Sequence, residues 1–412
     1  MDFDLFIILF LLGGWVSARI TAGLRLPGIL GMVLFGLVFG TFAGAAVPPL
    51  VWDLAPFLTT SALIVILLRA GLGIRRQTLA RIGLPAILMG VVPCLAEAAA
   101  LTPAFMWLFD LPLLVAVLAA FVLAAVSPAV VIPSMLALKD SGYGHRADVP
   151  TLILAGASLD DVVAITFFTV HLQQAQQRLA VAGGDGAGLE IELGVLAQVP
   201  LSIGGGLLVG GLLGLLLAWA SCRTYRQIRA TEKTLLLMVL ALLLVKAAEW
   251  VHFAALLAVM TVGFVLLERC EQVAHEVALK LAKVWVLAEI VLFVLIGMAV
   301  DIEVALAAGW AGLLVIAIGL AARALGVLLA LWLGRARLTW GERLFCVLAY
   351  FPKATVQAAL GSVPLAAGIP GGELILAVAV LSILVTAPVG LLAIRGLGPR
   401  LLDGPHPARP AG

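Results

Sequence analysis

Two adjacent carboxylates, Asp160 and Asp161, stand in the middle of the apolar stretch ILAGASLDDVVAITFF. A charge near the centre of a membrane helix costs about 2.5–3.5 kcal/mol on insertion scales, so an acid kept there indicates function. Adjacent helical residues point about 100° apart, so both side chains can reach one cavity but cannot share a single proton. Buried carboxylates accept protons readily, and their oxygens also suit a small alkali cation. The pair is therefore predicted to hold either a proton or a sodium ion; a structural ion-bridging pair is the alternative.

A second group of oxygens is predicted where a helix breaks. Ser127 and Pro128 interrupt the apolar stretch VLAAVSPAVVIPSML. Backbone groups freed by such a break are tolerated at membrane depth only where they face protein or a water-filled cavity. Carbonyl groups there, with the Ser127 hydroxyl, are predicted to complete a sodium shell around Asp161. A proline kink without ligands is the alternative.

Further ionisable residues inside apolar stretches are predicted to form a core charge network of Glu97, Arg323, Lys353 and Glu289. Glu97 and Arg323 should pair, because opposite charges relieve the penalty of burial. Lys353 lies at a break in LAYFPKATVQAALGSVPL, where it is expected to neutralise the ends of facing helix dipoles rather than bind the ion. The sequence does not choose between Glu289 and Asp301 as the partner of Lys353.

Composition indicates that lipid surrounds most of the chain. Of 412 residues, 63% are hydrophobic and 12% charged, with a mean hydropathy of +1.19, whereas soluble domains have about 45–50% apolar and about 25% charged residues. A net charge of +2 gives no reason to expect nucleic acid. The acidic N-terminus is unlike a signal peptide and is predicted to be the first membrane helix. The four cysteines lack metal-type spacing and are predicted to be ordinary thiols: Cys94, Cys222, Cys270 and Cys346.

Apolar runs long enough to cross a bilayer predict an all-α polytopic protein with about thirteen transmembrane helices. They lie near 3–20, 27–43, 54–74, 83–108, 112–137, 149–171, 195–220, 234–250, 253–268, 283–300, 304–333, 343–366 and 372–394. Lys and Arg concentrate in the linkers after odd-numbered spans, which predicts an external N-terminus and a cytoplasmic C-terminus. The 174–194 segment is predicted to be an exposed flexible loop, and no soluble regulatory domain is expected.

Thirteen spans divide into two inverted six-helix repeats joined by a linker helix. Pro128 and Pro133 lie near mid-membrane in the fifth span, which Pro128 interrupts, and Pro352 lies at the same depth in its counterpart, the twelfth. Paired, broken segments at matching positions of two repeats indicate the binding site of a secondary transporter. Two broken crossing helices are therefore predicted.

The segments VSPAVVIPSMLALKDSGYG, VPTLILAGASLDDVVAI, FPKATVQAALGSVPL and LSILVTAPVGLLAIRGLGPRLL resemble the NHA-type sodium/proton exchangers. That group belongs to the monovalent cation/proton antiporter superfamily, with NhaA and NapA as more distant relatives. The resemblance covers most of the chain from Pro27 to Leu402. It implies a homodimer in the plasma (inner) membrane, in which a core domain moves as an elevator against a dimer domain.

The resemblance also implies roles and boundaries. Asp161 would be the principal ion ligand and Asp160 its assistant. Dimer-domain helices 1–3 and 8–10 would span 1–82 and 234–300, core-domain helices 4–6 and 11–13 would span 83–173 and 304–394, linker helix 7 would span 195–220, and 395–412 would be a cytoplasmic tail. Glu97 and Arg323 match a buried acid–arginine pair of NHA-type exchangers. NapA-like relatives have a lysine in place of Arg323, and arginine cannot release a proton.

The predicted function is secondary transport of sodium or lithium against protons, with no cofactor, for pH homeostasis. A potassium/proton antiporter or potassium efflux system of the same superfamily is the alternative. An intramembrane enzyme is not expected, because no Ser/His dyad, protease motif or metal cluster is found. A channel is disfavoured by the inverted halves. Nothing adjacent to Asp160 in the sequence offers a permanent cation, which favours electrogenic exchange in which both aspartates lose a proton when one sodium binds.

Overall fold

A computed structural model describes residues 2–73, 76, 83–181, 198–223, 228–251 and 253–404. Within these residues the protein forms fifteen α-helices and no β-strand. They are α1 (Phe3–Gly23), α2 (Gly28–Ala43), α3 (Pro49–Gly73), α4 (Leu84–Phe109), α5 (Leu113–Leu123), α6 (Pro128–Asp140), α7 (Val149–Val181), α8 (Gln198–Arg223), α9 (Ala230–Val251), α10 (Ala255–Arg269), α11 (Glu271–Ala299), α12 (Ile302–Leu333), α13 (Trp340–Ala349), α14 (Thr355–Ala366) and α15 (Gly372–Leu401).

Eight of the described helices are long and apolar enough to cross a membrane: α1, α3, α4, α7, α8, α11, α12 and α15. Three shorter helices, α2, α5 and α14, are also apolar. This establishes a multi-pass, all-helical membrane protein. The count of thirteen spans and the inverted repeats stay predictions.

Both predicted helix breaks are present. α5 ends at Leu123 and α6 begins at Pro128, whose missing N–H costs nothing in the first helical turn. α13 ends at Ala349 and α14 begins at Thr355. The two interruptions meet, because the Ser127 N–H donates a 2.8 Å hydrogen bond to the Pro352 carbonyl.

The helices that carry the predicted site pack against one another. α12 packs along α4, α4 also packs against α7, and α15 packs against α12, α13 and α14. In a second set of contacts, α11 packs against α2 and α3, and α8 packs against α10. Capping fixes two helix starts: Asp301 accepts hydrogen bonds from backbone N–H groups at the start of α12, and Thr339 forms a capping box with Glu342 at the start of α13.

The predicted loop at 174–194 begins too early, and two helices extend beyond their predicted spans. α7 continues to Val181, so residues 174–181 are helix rather than loop, whereas 182–194 lie outside the described residues. Polar residues at the start of this stretch are not fully solvated: Gln173 Nε2, just before it, donates to the Phe253 carbonyl at 2.7 Å, and Gln174 is buried. α15 continues to Leu401, beyond the predicted end at 394.

α11 starts at Glu271, before the tenth predicted span, which begins near 283. Its first turns are amphipathic: Val273, Ala274 and Val277 are buried, while Glu276 lies 3.5 Å from Lys233 Nζ. Because charged residues on one face interrupt the apolar run, a search for apolar runs misses the first turns of such a helix.

The prediction of four free thiols is wrong for two of them. Cys222 and Cys270 form a disulfide bond. The packing of α8 along α10 brings their C-terminal ends together, a proximity that the 48-residue separation conceals. Cys94 and Cys346 are free and buried.

Candidate functional site

The carboxylate of Asp160, on α7, contacts both a backbone N–H and a permanent cation. The carboxylate is fully buried, and its Oδ2 accepts a 2.8 Å hydrogen bond from the Val126 N–H, in the break between α5 and α6. Arg323 Nη1 lies 3.3 Å from both carboxylate oxygens, and Nη2 lies 3.3 Å from Oδ2. Hydrogen bonds to the ionised form stabilise a buried carboxylate. These contacts therefore favour the ionised form of Asp160 and oppose the cost of burying its charge.

Arg323 joins three elements at the centre of the site. Its Nε contacts Glu97 Oε2 on α4, and its Nη2 contacts the Ala124 carbonyl at the end of α5. Gly319, one turn before Arg323 on α12, leaves room for the acid, since a Cβ there would lie 3.0 Å from Glu97 Oε1. The predicted contact between Glu97 and Arg323 is confirmed.

Lys353 also binds Glu97. Its Nζ donates a 2.7 Å hydrogen bond to Glu97 Oε2, and its backbone N–H donates to Thr386 Oγ1 on α15 at 2.9 Å. Glu97 Oε2 therefore contacts two cations, Arg323 and Lys353, and the side chains of all three residues are buried. Two cations, Arg323 and Lys353, face two acids, Glu97 and Asp160, so this cluster is electrically balanced.

Asp161 is the third carboxylate at this centre, and no cation of the cluster is left to compensate its charge. It is buried, and its Oδ1 has no hydrogen-bond partner among the described residues. A buried carboxylate oxygen without a partner is unfavourable when ionised. A bound proton or a bound cation would each remove the uncompensated charge.

The broken helices meet beside these acids. The Ser127 hydroxyl is buried, lies 3.5 Å from Thr355 Oγ1, and accepts a hydrogen bond from the Thr355 N–H at 3.4 Å. Gln357 Nε2 donates to the Ala125 carbonyl at 2.6 Å. Arg323 and Gln357 thus satisfy carbonyl groups released at the end of α5. The Ser127 hydroxyl is engaged across the crossing, and its role as a ligand of the ion stays a prediction.

The proposed partners of Lys353 are wrong. Lys353 binds Glu97, whereas Asp301 caps α12 by accepting hydrogen bonds from Glu303 N–H and Val304 N–H. Lys353 lies in the break after α13, and the fold brings this break to the place where α4 contacts α12. This proximity could not be inferred from the order of the residues in the sequence.

Glu289 likewise lies outside the predicted charge network. It stands on α11, which packs against α2 and α3, and it interacts electrostatically with Arg69 on α3. The Arg69 guanidinium also lies over the Trp285 ring, 5.6 Å from its centroid.

Sequence reasoning missed three buried polar residues that line the same centre: Tyr350, Gln357 and Thr386. A glutamine in the apolar run of α14 was a usable signal. Tyr350 and Thr386 were not distinctive, because single hydroxyl groups are common in membrane helices. Among the described residues, no group of three or more His, Cys, Asp or Glu side chains could hold a metal ion.

Comparison with known proteins covers nearly the whole chain. The family model described as "Sodium/hydrogen exchanger, transmembrane" matches residues 7–396. The chain is 32% identical to sodium/hydrogen exchanger 9B1 of Homo sapiens over 415 residues, which cover 97% of this chain and 78% of that protein. It is 34% identical to sodium/hydrogen exchanger 9B2 of Homo sapiens over 397 residues, covering 92% and 70%.

A solved structure shares the fold. The sodium proton antiporter MjNhaP1 from Methanocaldococcus jannaschii at pH 8 superposes with a TM-score of 0.77. The alignment covers 95% of this chain and 97% of that chain at 22% sequence identity. The arrangement of helices is therefore one that a known antiporter also adopts.

Proposed function

Because the chain belongs to the sodium/hydrogen exchanger family, we propose that it exchanges sodium for protons at Asp161. Its relatives are named as exchangers rather than enzymes. The observation that carries the assignment is Asp161 Oδ1, a buried oxygen without a protein partner beside a cluster whose charges already balance. Proton and sodium compete for this carboxylate, so release of one accompanies binding of the other.

Asp160 assists without exchanging its own proton. The Arg323 guanidinium and the Val126 N–H both favour its ionised form. The residues adjacent to Asp160 in the sequence offer no permanent cation, whereas Arg323, from a helix distant in sequence, lies 3.3 Å from its carboxylate. One proton therefore leaves Asp161 for each sodium that binds, and exchange is electrically neutral.

Oxygens at the helix break complete the ion's coordination in this proposal. A single carboxylate cannot replace the hydration shell of sodium. Ser127 and the Val126 carbonyl group lie in the same interruption as the Val126 N–H that reaches Asp160, whereas the Ala124 and Ala125 carbonyl groups already accept hydrogen bonds from Arg323 and Gln357. Their closeness to the acids supports a shell that combines side-chain and backbone oxygens.

The movement that exposes the site to either side is also a proposal. The helices around the acids, α4 to α7 and α12 to α15, pack on one another, which supports a core domain that moves as an elevator. The remaining helices, α1 to α3 and α9 to α11, would form the dimer domain of a homodimer, and α8 would be the linker helix. Thirteen spans, inverted repeats, an external N-terminus and a cytoplasmic C-terminus in the plasma membrane belong to the same proposal.

The test is exchange by the purified protein in proteoliposomes that enclose a pH-sensitive dye. Vesicles loaded with protons should become alkaline inside when sodium or lithium is added outside, and potassium should have no effect. Protein-free vesicles give the leak. Alkalinisation by potassium alone would favour the potassium/proton antiporter, and no response to any of the three cations would contradict the proposed function.

A further inference from the structure

Tyr350 is a buried polar residue without a role in the exchange mechanism proposed above. It follows α13 at the start of the second helix break, and its side chain is completely buried. Its hydroxyl has no hydrogen-bond partner among the described residues. Native proteins rarely leave a buried hydroxyl in this condition, so an atom that the protein does not itself supply is expected there.

The hydroxyl lies close to the two aspartates. Gly156 stands one helical turn before Asp160 on α7, and a Cβ built on Gly156 would lie 2.2 Å from the Tyr350 hydroxyl. The tyrosine interacts electrostatically with both Asp160 and Asp161. Its ring faces the Arg323 guanidinium, whose carbon is 5.8 Å from the ring centroid. The ring thus packs against the Arg323 guanidinium, and the glycine on α7 lets the hydroxyl approach the helix that carries the acids.

Two unpartnered oxygens, the Tyr350 hydroxyl and Asp161 Oδ1, therefore belong to one site. A hydroxyl donates one hydrogen bond and accepts two, so it can bind a water molecule whichever way that water is oriented. Buried waters typically join polar groups that the protein leaves unsatisfied. A carboxylate that binds sodium also needs further oxygen ligands, and water is one of them.

We propose that Tyr350 is a positioning residue of the ion site, whose hydroxyl holds a water molecule beside the Asp160–Asp161 pair. This inference rests on the proposed exchange function. The water completes the coordination of sodium when the ion is bound. It also occupies the site while Asp161 carries the proton. The tyrosine itself neither gains nor loses a proton during the cycle.

The test is Tyr350→Phe, which removes the hydroxyl and keeps the ring on Arg323. The apparent KM for sodium should rise by about fivefold, the effect of losing one hydrogen bond to the bound water. The maximal rate and the thermal stability in detergent should not fall, because no protein group loses a partner. The matched control is Tyr143→Phe, at the α6–α7 connection, which should leave the KM unchanged.

A purely structural hydroxyl predicts a different result. Tyr350→Phe would then unfold at a lower temperature, or fail to fold, and any folded protein would keep the wild-type KM. Either outcome would overturn the inference. Wild-type exchange is measured in the same vesicles: its absence contradicts the proposed function, whereas normal exchange with an unchanged KM in Tyr350→Phe contradicts only the role of the tyrosine.

Discussion

Arg323 Nη1 lies 3.3 Å from both carboxylate oxygens of Asp160, although 163 residues separate the two in the chain. In the proposed exchange mechanism, this contact limits the site to one exchanged proton. Asp160 has a permanent counter-charge, whereas Asp161 Oδ1 has no partner among the described residues. The adjacent acids therefore differ in chemistry because of what surrounds them.

Electrically neutral exchange is the first prediction from this contact. If only Asp161 exchanges its proton, no net charge crosses the membrane in a cycle. The sodium gradient that nulls proton flux in proteoliposomes should then be the same with and without a valinomycin-clamped potential. One uncompensated charge would instead contribute about 2.3 kcal/mol per 100 mV, so a null point that moves with the potential would show that Asp160 also releases its proton.

Arg323→Met should strongly destabilise the protein. It leaves two buried acids short of a cation, and removing one partner of a buried ion pair costs about 3–5 kcal/mol. The measurement is thermal unfolding in detergent. The matched control is Arg19→Met on the exposed face of α1, expected within about 0.5 kcal/mol of wild type.

Adding Glu97→Gln to Arg323→Met should recover only part of that stability. Asp160 would still lack its cation, and Lys353 would lose its carboxylate partner. Full recovery in the double variant would mean that Asp160 does not depend on Arg323.

The sequence predicted most of the site because its residues are rare in an apolar chain. Asp160, Asp161, Glu97, Arg323 and Lys353 stood out as charges at membrane depth, and all five lie at one centre. Membership among sodium/proton exchangers, predicted from the motifs, is confirmed. The breaks at Pro128 and Pro352 were visible because proline cannot continue a helix's hydrogen bonding.

The missed features depend on tertiary contacts. The charge on Lys353 could be recognised, but its pairing with Glu97 arises where three helices meet. Glu289 looked equivalent to the other buried acids, although it faces α3 instead. The Cys222–Cys270 disulfide and the helical residues 174–181 follow from neighbours distant in the chain, which spacing and composition do not encode.

Ser127→Ala tests the helix-break ligand. If the hydroxyl contributes to the sodium shell, the apparent KM for sodium should rise by about two- to fivefold, since backbone carbonyl groups still coordinate the ion. The matched control is Ser134→Ala on α6, whose hydroxyl donates to the Val130 carbonyl of its own helix and should not affect the KM. Equal KM values for the two variants would mean that the Ser127 hydroxyl contacts Thr355 but does not bind the ion.

Competition at Asp161 fixes the sign of the pH dependence. Lowering the pH raises the proton concentration, fills more of the Asp161 sites with protons and leaves fewer for sodium. The apparent KM for sodium should therefore rise as the pH falls, by at most about tenfold per pH unit. Exchange in proteoliposomes at symmetrical pH, followed with radioactive sodium, measures this KM; a KM independent of pH would contradict a shared site.

The most direct test is Asp161→Asn, compared with Asp160→Asn in the same proteoliposomes. Asparagine keeps the shape of the side chain and removes the carboxylate that alternates between proton and sodium. Asp161→Asn should abolish sodium-driven proton flux in a protein whose thermal stability is not reduced, while Asp160→Asn should be destabilised because Arg323 loses a carboxylate partner. Sodium/proton exchange at the wild-type rate by Asp161→Asn would contradict the assignment of the exchange site.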